Sequence, residues 1–209
     1  MKKLLFISSL VVFSSLWAQE VNDNVEEVTV VGSRSEARSP QDTFSPVDVI
    51  SGSEFQNNGD TDFNNLMRNL VPSFSVNDQP ISDAASVMRP ANLRGMSPDH
   101  TLVLVNGKRR HRGSVLTWLG AYISDGAQGP DLSAIPASAL KSVEVLRDGA
   151  SAQYGSDAIA GVINFNLNDS TEGGFIEYRK GQYSEGDGDQ SYVMGNYGMP
   201  FGDGFANFS

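Results

Sequence analysis

The stretch from Ile135 to Asn164 sets the tightest limit on what this chain can become. It fits a strand, a tight turn, one helical turn and a second strand between closely placed glycines. Lys141 to Leu146 alternates, with Val143 and Val145 on one side and Ser142, Glu144 and Leu146 on the other, the pattern of a half-exposed strand. Asp148-Gly149 signals a turn, Ala150 to Tyr154 forms a compact helix, and Gly155 can take the left-handed conformation that ends one. Gly161 opens Val162-Ile163-Asn164-Phe165-Asn166-Leu167, whose apolar residues again fall on alternate positions. Any α/β domain could use such a unit. Three glycines around so short a helix are nonetheless an unusual combination.

The N-terminus carries an address. Lys2-Lys3 precedes the apolar run Leu4 to Leu16, and Trp17-Ala18-Gln19 offers a small residue for cleavage after Ala18. This is the layout of a secretory signal peptide over 1–18. A single membrane anchor is the alternative, but the run falls short of the about 20 apolar residues a comfortable span needs. The exported chain has no cysteine, which excludes disulfides and thiolate metal sites, so a core, a barrel or a partner must stabilise it. A net charge of −10 argues against nucleic acid as a partner, since that function wants a basic face.

Residues 19–41 are polar, without helical period, and read as a flexible segment. One strand-like run interrupts them: Glu26-Glu27-Val28-Thr29-Val30-Val31-Gly32. It could be the edge of the following sheet, or a peptide that adds itself to another protein's sheet edge through main-chain hydrogen bonds. Its place in a polar tether near the mature N-terminus favours the second. Further on, Ser45-Pro46-Val47-Asp48-Val49-Ile50 is a short strand entry, with Pro46 suggesting an edge. Asp60-Thr61-Asp62 caps a helix with Phe63, Leu66, Met67 and Leu70 on one buried face, and Pro72 stops it. Val76 to Pro90 is a polar loop and Thr101 to Val105 an apolar strand. Asn106-Gly107 then gives the strongest short turn signal available.

The only basic run is Lys108-Arg109-Arg110-His111-Arg112. It lacks the interleaved aromatics of a nucleic-acid surface and reads as a solvated loop or a contact for an anionic ligand. Trp118 and Tyr122 follow in a long Gly-rich loop, a common location for function. No catalytic constellation emerges. His100 and His111 show no zinc-motif spacing, and Gly149-Ala150-Ser151-Ala152-Gln153 lacks the second glycine of a nucleophile elbow. The acidic loop Ser184 to Asp189 lacks the ligand spacing of a calcium loop. An enzyme, a resident metal and a cofactor are therefore not expected.

After Leu167 the pattern becomes one of aromatic strands and turns. Phe175 to Lys180 places Ile176 and Tyr178 opposite Glu177 and Arg179; Gln190 to Tyr197 and Phe205 to Phe208 follow, with Gly202-Asp203-Gly204 as a turn. This suits either a soluble β-meander or a transmembrane β-barrel. Three strands cannot close a barrel, so the sequence is expected to be the N-terminal piece of a longer protein.

Ile135 to Asn164 closely resembles the signature of the plug domain of TonB-dependent outer-membrane receptors, and the resemblance runs from about Glu26 to Leu167. Leu93-Arg94-Gly95 and the helix before Pro72 are similar to further segments of that family. Ser73 stands where a glycine commonly follows the proline, Asn106 where aspartate is frequent, and Arg147-Asp148-Gly149 where many members have Arg-Gly-Pro. The resemblance implies an α+β fold: a globular plug over 42–168, with a small mixed sheet and short helices, followed over 172–209 by the first antiparallel strands of a transmembrane β-barrel. It implies an active transporter in the outer membrane of a Gram-negative bacterium, its plug facing the periplasm and the barrel lumen and its barrel facing lipid. It likens Glu26, Glu27, Val28, Thr29, Val30 and Val31 to the TonB box, which meets TonB and its inner-membrane energising complex. The cargo would be a scarce small solute such as a ferric siderophore, with Arg109, His111, Arg112, Trp118 and Tyr122 as candidate contacts. A free periplasmic solute-binding or docking module is the alternative.

Overall fold

The computed structural model describes residues 31, 46–58, 62–76, 87–117 and 122–209, without the side chains of Gln56 and Tyr122. The signal peptide, Glu26 to Val30, most of the loop after Val76, and Trp118 lie outside the described residues. In order, the elements are β1 (Val47–Ser51), α1 (Gly52–Asn57), α2 (Phe63–Leu70), β2 (Phe74–Val76), β3 (Ala91–Leu93), β4 (Thr101–Val105), β5 (Lys108–Arg109), β6 (Leu140–Leu146), α3 (Ser151–Tyr154), β7 (Gly161–Leu167), β8 (Gly173–Gly181), β9 (Gln190–Phe201) and β10 (Gly204–Phe208).

Five strands form one mixed sheet in the order β1-β6-β7-β4-β5, with β4 parallel to β7 and the other pairs antiparallel. The proline-led β1 is an edge strand, as its sequence suggests. The Asn106-Gly107 turn closes β4 onto β5 with positive φ at both residues (49° and 72°), the geometry that matches strand twist in a hairpin. The turn is also tied to β7: Asn106 Oδ1 accepts from the Leu167 N–H at 2.8 Å, and the Gly107 N–H donates to Asn164 Oδ1 at 3.0 Å.

Helices α1 and α2 begin with side-chain caps. Ser51 and Glu54 make a reciprocal capping box at α1, while Asp62 Oδ1 accepts from the Asn64 N–H at α2. Their apolar faces cover one side of the sheet. Phe55, Phe63, Leu66 and Met67 pack there with Val103, Val143, Val145, Ile163 and Phe165; Leu70 is only partly buried at the margin.

The alternation in β6 suggested a half-exposed strand, and here the structure differs. Val143 to Leu146 is buried on both sides. The second side of the sheet carries its own apolar cluster of Val47, Leu102, Leu104, Leu146, Ala150, Ala158 and Val162, which Val31 joins. Polar residues in a strand stay buried when they hydrogen-bond to each other, and Glu144, Asn164 and Asn166 do so.

The last three strands form a separate antiparallel sheet, β10-β9-β8. Its register puts Ile176, Tyr178, Val193, Tyr197, Met199, Phe201 and Phe208 on one face. That face is bare: Ile176 is 86% exposed and Phe201 72%. The opposite face carries Glu177, Arg179, Asn196 and Asn207 and turns to the part of the chain that precedes it. Arg179 Nη1 donates to the Asn58 carbonyl at 2.7 Å, and Asn168 Nδ2 donates to Asn196 Oδ1 at 3.0 Å. With 9 and 12 residues, β8 and β9 reach or pass the about 9–11 residues that a tilted transmembrane strand needs.

Candidate functional site

Two places concentrate polar side chains near the segments that the sequence singles out. The first is a cavity of about 340 Å³ beside β5, lined by Arg109, Arg110, His111, Arg112, Asp99 and Asp157 among others. The hairpin turn at Asn106-Gly107 folds the basic run back along β4, and the Arg110 N–H continues the pairing onto the Val103 carbonyl at 2.9 Å. The basic run therefore leads back to the end of the sheet where β4 and β7 begin.

At that end, Gly155 (φ 104°) breaks α3 and turns the chain into the short 3-10 turn Ser156–Ala158. The turn presents Asp157 to β5. The Arg109 guanidinium pairs with the Asp157 carboxylate and donates to the Tyr154 carbonyl. Arg109 is thus spent largely on holding the hairpin to this turn. Among the described residues, no ion pair is formed by Arg110, His111 or Arg112, and the last two are exposed. Asp99 accepts from the Gln128 N–H at 3.1 Å and keeps its charge; with Arg109 paired to Asp157, Arg110 and Arg112 outnumber it and leave the cavity lining positive.

The long loop is closed at its base next to the same cavity. Gly113 N–H donates to the Gly129 carbonyl, Thr117 N–H to the Ala127 carbonyl and Gly126 N–H to the Thr117 carbonyl. Ser124 and Asn92, both buried, bond through Asn92 Nδ2 to Ser124 Oγ at 3.1 Å. Tyr122 begins the 3-10 turn Tyr122–Ser124; Leu116 and Ile123 are exposed on this loop. So Arg109, His111 and Arg112 come together at one cavity, with the loop of Tyr122 beside it. Asp157 and Asp99 belong to the same place and were missed. Asp157 sits in the most informative stretch of the sequence, but nothing in its neighbours announces a partner 48 residues away.

The second place is the end of the strand-like run. Val31 is 1% exposed, and among the described residues it belongs to no strand. Its N–H donates at 3.1 Å to Oε2 of Glu144, which is itself 1% exposed in the middle of β6.

Comparison with known proteins bears on the whole arrangement. The model of the TonB-dependent receptor plug domain matches residues 39–162. The vitamin B12 transporter BtuB of Vibrio vulnificus is 34% identical over 157 residues, covering 75% of this chain and 23% of BtuB. The probable TonB-dependent siderophore receptor PirA of Acinetobacter baumannii is 45% identical over 78 residues, 36% of this chain and 10% of PirA. The crystal structure of the siderophore receptor PirA from Acinetobacter baumannii superposes with a TM-score of 0.52 at 26% identity, over 74% of this chain and 22% of that one. The chain thus spans less than a quarter of the length of each of these relatives. The plug match covers more than half of the chain, and the mixed sheet, short helices and trailing antiparallel strands fit it: the chain belongs to the TonB-dependent receptor family of Gram-negative outer membranes.

Proposed function

We propose that this chain is the N-terminal part of a TonB-dependent outer-membrane active transporter, with residues 42–168 as the gate, 172–209 as the first strands of the surrounding barrel and 1–18 as the export signal. The observation that carries this is the β8–β10 sheet. One face is apolar and bare, and the other bonds to the plug through Arg179 and Asn196. A barrel wall has these two sides, lipid outside and a polar lumen inside. A free periplasmic module would leave Ile176, Val193 and Phe201 in water, where a patch of this kind is an aggregation hazard.

Sidedness supports the location of the ligand. Barrels of this kind have short periplasmic turns and longer external loops. The turn at Gly202-Asp203 is tight, whereas Gln182–Asp189 is a longer loop. The plug leaves β7 beside Asn196 and Asn207, toward the tight-turn end. The opposite end of the sheet, with Asp157 and the basic cavity, then faces outward. His111, Arg112 and the loop of Trp118 and Tyr122 are the contacts for a scarce anionic solute such as a ferric chelate, and Arg109 positions them. Relatives named as siderophore receptors support that cargo class. No catalytic step belongs to this function.

Coupling falls to Glu26, Glu27, Val28, Thr29, Val30 and Val31. TonB, energised from the inner membrane, would pair with this run by strand addition, and pulling would remodel the gate. Individual main-chain hydrogen bonds net about 1 kcal/mol in water, which suits a reversible grip. The test is accumulation of labelled ferric chelates, cobalamin and glycans by cells expressing the gene, with TonB present or deleted. One solute class is expected to accumulate only where TonB is present. Equal accumulation in both strains would overturn the proposal.

A further inference from the structure

Glu144 occupies a position that a buried strand normally gives to an apolar side chain. Its carboxylate is satisfied from two directions. Strand β7 supplies Asn166 Nδ2, donating to Oε1 at 2.9 Å, and Asn164 Nδ2, donating to Oε2 at 3.3 Å. These two side chains are fixed in turn. Asn164 Oδ1 accepts from the Gly107 N–H at 3.0 Å, and Asn166 Nδ2 also donates to Ser142 Oγ at 3.1 Å. A further donor comes from far away in the sequence: the main-chain N–H of Val31, at 3.1 Å. The Val31 side chain is simultaneously buried against the apolar half of the same sheet face, in the cluster of Leu102, Leu104, Leu146 and Val162.

We propose that Glu144 is a positioning residue for the coupling segment. Its carboxylate latches the end of Glu26–Val31 to the two central strands, β6 and β7. Tension on the segment is then borne first by the Val31–Glu144 hydrogen bond and only afterwards by the sheet. The significance of the latch rests on Glu26–Val31 being the run that TonB grips.

The chemistry suits a catch that opens and closes. A carboxylate accepts several donors at once, and a hydrogen bond to a charged acceptor is stronger than a neutral one yet short in range. If Val31 leaves, water entering from its side can take over as donor to Oε2, while Asn164 and Asn166 keep the carboxylate in place. An apolar residue at this position would hold Val31 by packing alone and give its N–H nothing.

These 209 residues have no cysteine, so Val31→Cys is the single thiol among them, and any cysteine elsewhere in the receptor is first replaced by serine. Its rate of maleimide labelling is measured on the intact receptor in isolated outer membranes, with Glu144 native, Glu144→Gln or Glu144→Leu. A separate thiol from Leu104→Cys, in the same apolar cluster, reports on the sheet itself. Labelling at position 31 is expected to be slow with native Glu144. It is expected to rise at least about tenfold in Glu144→Leu, as loss of a hydrogen bond to a charged group implies, with position 104 unchanged. Glu144→Gln, which keeps one acceptor oxygen, is expected to restore slow labelling. The proposal is overturned if position 31 stays protected in Glu144→Leu. It is equally overturned if positions 31 and 104 accelerate together, or if Glu144→Gln labels as fast as Glu144→Leu. No TonB is present in this measurement, so its outcome is separate from whether TonB grips the segment.

Discussion

Phe165→Ala is expected to lower the unfolding free energy of the plug by about 3–5 kcal/mol, the usual range for removing a buried aromatic ring. Phe165 is fully buried in β7. Its ring meets Phe63 edge-on at 5.5 Å between centroids, and Phe63 stacks on Phe55 at 5.7 Å. One ring therefore ties the central sheet to both α1 and α2. Small domains have only about 5–15 kcal/mol to lose, so the variant should unfold at a much lower urea concentration. Circular dichroism during urea titration reads this directly. A loss below about 0.5 kcal/mol, the size of a typical surface change, would show that the aromatic stack is not what joins helices to sheet.

Gly161→Ala is expected to be comparably damaging although it adds one methyl group. At φ 149° Gly161 occupies backbone space that side chains disfavour, and an added Cβ would lie 2.3 Å from the Leu146 carbonyl oxygen and 3.1 Å from Leu93 Cδ1. The first contact is with backbone, so no side-chain rotation relieves it. Strand β7 would have to move away from β6 at the start of their pairing, where Leu146 faces Val162. Dihedral strain and overpacking together are expected to cost about 3–5 kcal/mol in the same urea titration. The contrast with Phe165 is useful: one loss arises from a void, the other from an overlap. A Gly161→Ala variant as stable as the parent would mean that the close approach of β6 and β7 is adjustable.

Much of this fold was legible because local chemistry dictated it. Asp62 and Pro72 bracket α2, Asn106-Gly107 makes the hairpin, and Pro46 marks the edge strand. The register of β8 to β10 keeps the alternation read from Phe175 to Lys180. Other features were in the sequence but unread. The Ser51…Glu54 spacing is a capping-box signal, and it starts α1. Strand β3 was hidden because Ala91-Asn92-Leu93 is short and earns its place by pairing with Phe74 to Val76.

What the sequence could not supply was contact at a distance. The pattern Val143-Glu144-Val145 reads as a strand with one wet face, since nothing local reveals that Asn164, Asn166 and Val31 will supply donors to Glu144. The same limit applies to the basic cavity. The run from Lys108 to Arg112 is obvious, but that Arg109 is committed to Asp157 and Tyr154 follows only from the fold of Gly155 and its neighbours.

Coupling through the N-terminal run is the centre of the proposed function, and Val28→Pro examines it most directly. Proline removes a main-chain donor from the run and fixes its φ, which strand addition tolerates poorly. Affinity of the receptor for the periplasmic domain of TonB, measured by titration with native and Val28→Pro proteins, is expected to fall at least about tenfold. An affinity that does not change on substitution would mean that TonB does not hold this receptor by Glu26–Val31.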